Sequence, residues 1–124
     1  MSYDTMNDDL ILEFPELSIL FEEQFISWAG NDIPSHCFFG DSLNSYVTEL
    51  LRRNNDREQI EKVFKFYECL ACSDDEKVKD LLQVTLLEYL WDEKTVYENA
   101  LCYMLPKTYK MNSAIGSYLR IPRG

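Results

Sequence analysis

Positive charge is missing from the first 51 residues: no Lys or Arg precedes Arg52, although ten acids lie in that stretch. Glycine and proline are scarce, at four each in 124 residues, which argues against a many-stranded β fold with its frequent turns. No apolar run approaches the roughly 18–20 residues needed to cross a bilayer. The N-terminal MSYDTMNDD is acidic, unlike the positively charged start of a signal peptide, so a cytoplasmic location is expected. Histidine occurs once, as His36. Phosphate-binding glycine loops, nucleophile elbows, H-E-x-x-H and the calcium loop D-x-[DN]-x-[DN]-G have no match, so no enzymatic activity and no cofactor is expected.

What is present suits a folded domain. Hydrophobic residues make up 46% of the chain and aromatics 14%, enough for a core and too much for disorder. The four cysteines (Cys37, Cys69, Cys72 and Cys102) are expected as reduced thiols in a protein of this class. Cys69 and Cys72 spell C-x-x-C inside YECLACSD, at the end of a helix, whereas the redox motif normally precedes one. A zinc set could be drawn from Cys69, Cys72, Cys37 and His36, but no second spaced pair supports the first, and packing thiols are favoured. Adjacent His36 and Cys37 do not form an expected catalytic dyad, because neighbours in sequence rarely face one another and no orienting group is indicated.

Periodicity predicts helices nearly throughout. Residues 15–29 align Leu17, Phe21, Phe25 and Trp28, with Gly30-Asn31 as the terminating signal; a shorter helical turn precedes Pro15. Residues 31–41 read as a loop with apolar plugs at Phe38 and Phe39. Helices follow over 42–54 and over 57–72, the latter N-capped by Asp56. Ser73-Asp74-Asp75-Glu76 reads as a capping box opening a helix over 75–91 that is apolar on several faces and therefore central. Asp92 is expected to cap residues 93–105, and Pro106 to start a last helix over 106–119. Short links imply antiparallel neighbours. The expected architecture is all-α: one domain over 1–124, a compact bundle of about six antiparallel helices, or stacked helical hairpins.

Net charge is −10, and its distribution is uneven. The first 51 residues hold 10 of the 22 acids; the rest holds 22 − 10 = 12 acids against all 12 basic residues, so the excess belongs to the N-terminal part. Such a one-signed surface costs stability through self-repulsion but speeds encounter with a cationic partner. Phosphates would be repelled, which disfavours direct nucleic-acid binding, and anionic lipid heads likewise. Asp8, Asp9, Glu13, Glu22, Glu23, Asp32 and Asp41 are the candidate steering residues, and Trp91 the candidate aromatic anchor of a protein interface.

Two stretches, FFGDSLNSYVTELLRRNN and VTLLEYLWDEKTVYENALCYMLPKT, resemble an uncharacterised bacterial family of small acidic helical proteins, similar in type to the immunity proteins of polymorphic toxin and contact-dependent growth inhibition systems. The resemblance covers about a third of the chain and carries no catalytic signature. It implies a cytosolic antidote that binds a cognate cationic toxin domain, such as a nuclease acting on RNA or tRNA. The alternative is a helical adaptor or regulatory protein for a non-toxin partner.

Overall fold

A computed structural model of the chain describes residues 2–28 and 33–119, with side chains as far as 117. Among the described residues there are seven helices and no strand. Helix α1 spans 3–13, a 3₁₀ turn (Tyr3–Thr5) running into an α-helix (Met6–Glu13), and α2 spans 15–27, a 3₁₀ turn (Pro15–Leu17) running into Ser18–Ser27. Helix α3 covers 35–53, α4 is Arg57–Ala71, α5 covers 76–90, α6 is Lys94–Leu101 and α7 is Pro106–Leu119. Pro15 and Pro106 both occupy helix starts, where a missing N–H costs nothing.

Several boundaries follow the local chemistry. Asp56 Oδ1 accepts from the Gln59 backbone N–H and caps α4. Asn54 ends α3 at φ 49°, ψ 41°, a left-handed conformation that asparagine tolerates. Two expected caps differ. Asp75, not Ser73, caps α5 by accepting from Lys77 N, while the Ser73 hydroxyl accepts from Asp75 N, so the reciprocal Ser–Glu box is not formed. Glu93 rather than Asp92 occupies the N-cap of α6, without a side-chain bond, and that helix is shorter than the expected 93–105. The expected Gly30-Asn31 terminus lies outside the described residues.

The largest departure concerns residues 35–41, expected as loop. Ser35–Phe38 is helical and continues through a π-helical stretch (Phe39–Leu43) into Asn44–Arg53. Helix α5 carries a second π stretch, Leu81–Leu87. These widened turns face each other: the Asn44 side-chain amide donates to the Thr85 carbonyl at 2.9 Å, and a Cβ on Gly40 would sit 3.5 Å from the Thr85 methyl. Phe38 and Phe39 are fully buried, so they are core residues and the helix forms around them.

One continuous core runs from Met6 to Ile115. Helix α5 buries Val78, Leu81, Leu82, Leu86, Leu87 and Leu90 and touches α3, α4, α6 and α7, which makes it central as expected; Val84 and Tyr89, however, face solvent. Helices α4 and α7 pair through Glu68, whose carboxylate accepts from Lys107 N, Thr108 N and the Thr108 hydroxyl at 3.0, 2.9 and 2.9 Å. Helix α6 is held to α3 by Asn99 Nδ2 donating to the Leu51 carbonyl and by Arg52 reaching Glu93 at 2.8 Å. No described helix is long and apolar enough to cross a membrane.

Candidate protein-binding face

Helix α2 departs from the rest of the bundle. Its α-helical part, Ser18–Ser27, has no buried residue. Phe21 packs edge-on to Phe38, ring centroids 5.0 Å apart, and Gln24 Nε2 donates to Asp41 at 3.1 Å; these two contacts turn one side of the helix inward. Ile19, Glu22, Glu23 and Ile26 follow i, i+3, i+4, i+7 and so share another face. Ile19 is 65% exposed and Ile26 77%, with both glutamates exposed between them. Leu20, Phe25 and Trp28 are also exposed, so the expected inward row of Leu17, Phe21, Phe25 and Trp28 is buried completely only at Leu17. Single exposed leucines are ordinary; four large exposed apolar side chains on one short helix, with Trp28 exposed at its C-cap, are not.

The surrounding charge is uncompensated. Of the described acids before residue 52, only Glu49 forms an ion pair, with Arg52 and Arg53 at 3.0 and 2.8 Å. Asp8, Glu13, Glu22 and Glu23 are exposed and meet no cation among the described residues. Some acids serve the fold. Asp8 and Asp9 sit in the first turn of an α-helix, where the macrodipole favours negative charge, and Asp9 accepts from Thr5 Oγ1 at 2.9 Å. Asp41 holds Gln24. Glu16 accepts from Tyr46 at 2.6 Å and Gln59 at 2.9 Å, pinning the start of α2 to α3 and α4; burial, then the bond to Glu16, pushes the Tyr46 hydroxyl up to about 12. Glu22 and Glu23 have no such task. Asp32, like Arg120 and Arg123, lies outside the described residues.

Trp91 is not available as a surface anchor. It is 4% exposed, packed against Tyr97 with centroids 4.4 Å apart and the rings tilted by 40°, and its indole N–H donates to Asn112 Oδ1 at 2.9 Å. The turn before Asp92 folds the ring inward against α7, where a Cβ on Gly116 would come within 3.0 Å of it. The exposed aromatics are instead Phe25 on α2 and Trp28 at its C-cap, where helical spacing made them look like core.

Other constellations hold no convergent chemistry. His36 is exposed, its Nδ1 2.8 Å from Thr85 Oγ1, whereas Cys37 packs against the core, so the two diverge. Cys69 and Cys72 are exposed free thiols, and no group of three His, Cys, Asp or Glu among the described residues is arranged to hold a metal ion. A cleft of about 500 Å³ bordered by Asn54, Arg57, Glu61 and Tyr103 has mixed charge, with Arg57 and Glu61 satisfying each other at 2.8 Å. A second, of about 310 Å³, opens between α1 and α2.

A domain of unknown function, DUF7674, matches residues 7–117, nearly the whole chain. The chain belongs to the DUF7674 family. The match runs from within α1 to within α7, so the acidic hairpin α1–α2 is part of the family's domain and not an appendage. No curated protein and no solved structure matches.

Proposed function

We propose that this DUF7674 domain is a non-catalytic protein-binding module whose α1–α2 hairpin docks a cationic protein. One observation carries the reading: α2 leaves Ile19 and Ile26 in water, around Glu22 and Glu23 that meet no cation among the described residues. Covering each isoleucine returns about 1.5–3 kcal/mol, while the glutamates act on encounter rate and orientation more than on affinity. A basic partner with an apolar strip fits this face. A second copy of the same face does not, because like charges would be brought together.

Together with the resemblance to immunity proteins, this supports a cytoplasmic antidote that occludes a cationic toxin domain, such as a nuclease, in a 1:1 complex. The test is co-expression with the toxin candidate encoded beside the gene. Co-purification and protection from toxicity are expected for the natural sequence, with loss of both for an Ile19→Asp/Ile26→Asp variant that stays folded. A neighbouring product that is neither toxic nor bound overturns the antidote reading. A stable complex whose formation rate is unchanged between low and high salt favours the adaptor alternative, since charge-steered association slows as salt screens it.

A further inference from the structure

Helix α2 carries two opposite faces of different chemistry. At about 100° per residue, Ile19 and Ile26 lie about 20° apart in projection down the axis, and Glu22 and Glu23 lie about 50° to either side of the line they make. Phe21 and Gln24, which meet Phe38 and Asp41, fall about 150° away. The isoleucine line is therefore the outermost ridge of the helix, 65% and 77% exposed, with one exposed carboxylate on each flank. Neither carboxylate meets a cation among the described residues, and no basic residue stands in the last turn of α1 or α2. The backbone of α2 is bonded along its own axis, so this face offers no open edge to an added strand, and recognition falls to side chains.

We propose that this ridge seats an amphipathic helix of the docking protein, with an apolar stripe that interdigitates with Ile19 and Ile26 and Lys or Arg on both flanks. This rests on the α1–α2 docking reading and adds the form and register of what docks. Seven residues of helix rise about 10.5 Å, and a partner helix repeats its own i, i+7 side chains at that same interval, so its knobs stay in step with the two isoleucines. An extended segment places same-side residues about 6.6 Å apart and falls out of step. Cations on the two borders of the partner's stripe meet Glu22 on one side and Glu23 on the other, as flanking charges do in paired helices. Charge selects against the other occupants: anionic lipid heads are repelled, and a second copy of α2 brings carboxylates against carboxylates.

The experiment is an NMR titration of the intact domain with a blocked peptide of about 18 residues, long enough to form a helix on binding, built from Leu, Lys and Ala with leucines at i, i+3, i+4 and i+7. Two controls keep its composition and charge: one scatters the leucines round the helix, and one exchanges a central alanine for proline. Saturable shifts are expected at the amides of Ser18–Ser27, with a gain of helical circular dichroism in the mixture. The scattered peptide should bind about tenfold more weakly or worse, the worth of one lost apolar side chain, and the proline peptide by a similar factor or more. Ile19→Asp/Ile26→Asp, a change at exposed positions that leaves the fold intact, should abolish saturation. Glu22→Gln/Glu23→Gln should weaken binding about threefold or more, as for the loss of exposed ion pairs. Equal binding of the scattered peptide means charge attraction alone and overturns the proposal; equal binding of the proline peptide, which points to an extended occupant, does the same. So does dimerisation of the free domain in sedimentation that Ile19→Asp/Ile26→Asp reverses, since the occupant is then a second copy. If the helical peptide binds no better than its controls while Ile19→Asp/Ile26→Asp still abolishes capture of the toxin candidate, the helix assignment falls and the docking face survives. If the helical peptide seats on α2 while that capture survives Ile19→Asp/Ile26→Asp, helix recognition stands and the docking reading falls.

Discussion

Replacing Asn112 by alanine tests whether the buried polar relay at the α5–α7 contact holds the C-terminal helix. Asn112 is 2% exposed; its Oδ1 accepts the Trp91 indole N–H at 2.9 Å and its Nδ2 donates to the Tyr97 hydroxyl at 3.0 Å. Alanine removes both partners and leaves an indole N–H and a tyrosine oxygen in a dry environment. An unsatisfied buried donor or acceptor costs about 1–3 kcal/mol, and the tyrosine can recover part of its share by turning its hydroxyl. The sum is about 2–4 kcal/mol, a large fraction of the roughly 5–15 kcal/mol that domains of this size possess. The corresponding drop in Tm is about 8–15 °C. Urea denaturation followed by tryptophan emission is the assay, with circular dichroism alongside because Trp28 also emits. A double-mutant cycle decides the mechanism: in a Trp91→Phe background the indole donor is gone, and the cost of Asn112→Ala should fall by about 1 kcal/mol or more. A strictly additive cycle, or a single-variant loss below about 0.5 kcal/mol, refutes the relay.

Four other outcomes follow from the structure. The Tyr67 hydroxyl is fully buried with no partner among the described residues, and burial pushes its ionisation upward; Tyr67→Phe should be neutral or stabilising by up to about 1 kcal/mol in the same urea assay, and a loss beyond that points to a partner for the hydroxyl. Burial raises the Glu68 carboxyl, but donation from Lys107 N, Thr108 N and the Thr108 hydroxyl outweighs it and holds the group below its ordinary value. Its contribution is therefore complete above the unfolded pKa and lost as pH falls through the lower folded one, so wild type should lose stability on acidification through and below the ordinary glutamate range more steeply than Glu68→Gln. Glu68→Ala should cost about 1–2 kcal/mol at neutral pH, as for loss of a helix cap. Cys69→Ser/Cys72→Ser should leave stability within about 0.5 kcal/mol, since both thiols are exposed and unbonded; a larger loss, or metal retained by the purified wild type, assigns the C-x-x-C pair a role.

Strict apolar spacing made α4, the later part of α3 and α7 legible, and Asp56, Asn54, Pro15 and Pro106 marked real boundaries because each acts through local backbone chemistry. Residues 35–41 were not legible. Pro34 and Gly40 are loop signals, yet a π turn absorbs Gly40, and the stabilising contacts come from α5, far away in sequence. Trp91 and the aromatics of α2 exchanged roles for the same reason: spacing says that a side chain shares a face, not which face meets a neighbour. The charge asymmetry was legible in the sequence, because all the carboxylates of α1 and α2 except the half-buried Asp9 stay exposed. The signal passed over was the pairing of Ile19 and Ile26 around Glu22-Glu23, an apolar pair seven residues apart that marks the outer face of α2.

The most direct measurement is hydrogen exchange on the 1:1 complex with the co-expressed toxin candidate, compared with the free domain. Amides of residues 15–27 and of the adjoining part of α1 should gain protection, with those of α6 and α7 unchanged. Protection confined to the Lys107- and Lys110-bearing end, with α1 and α2 exchanging as in the free protein, would contradict docking through the acidic hairpin.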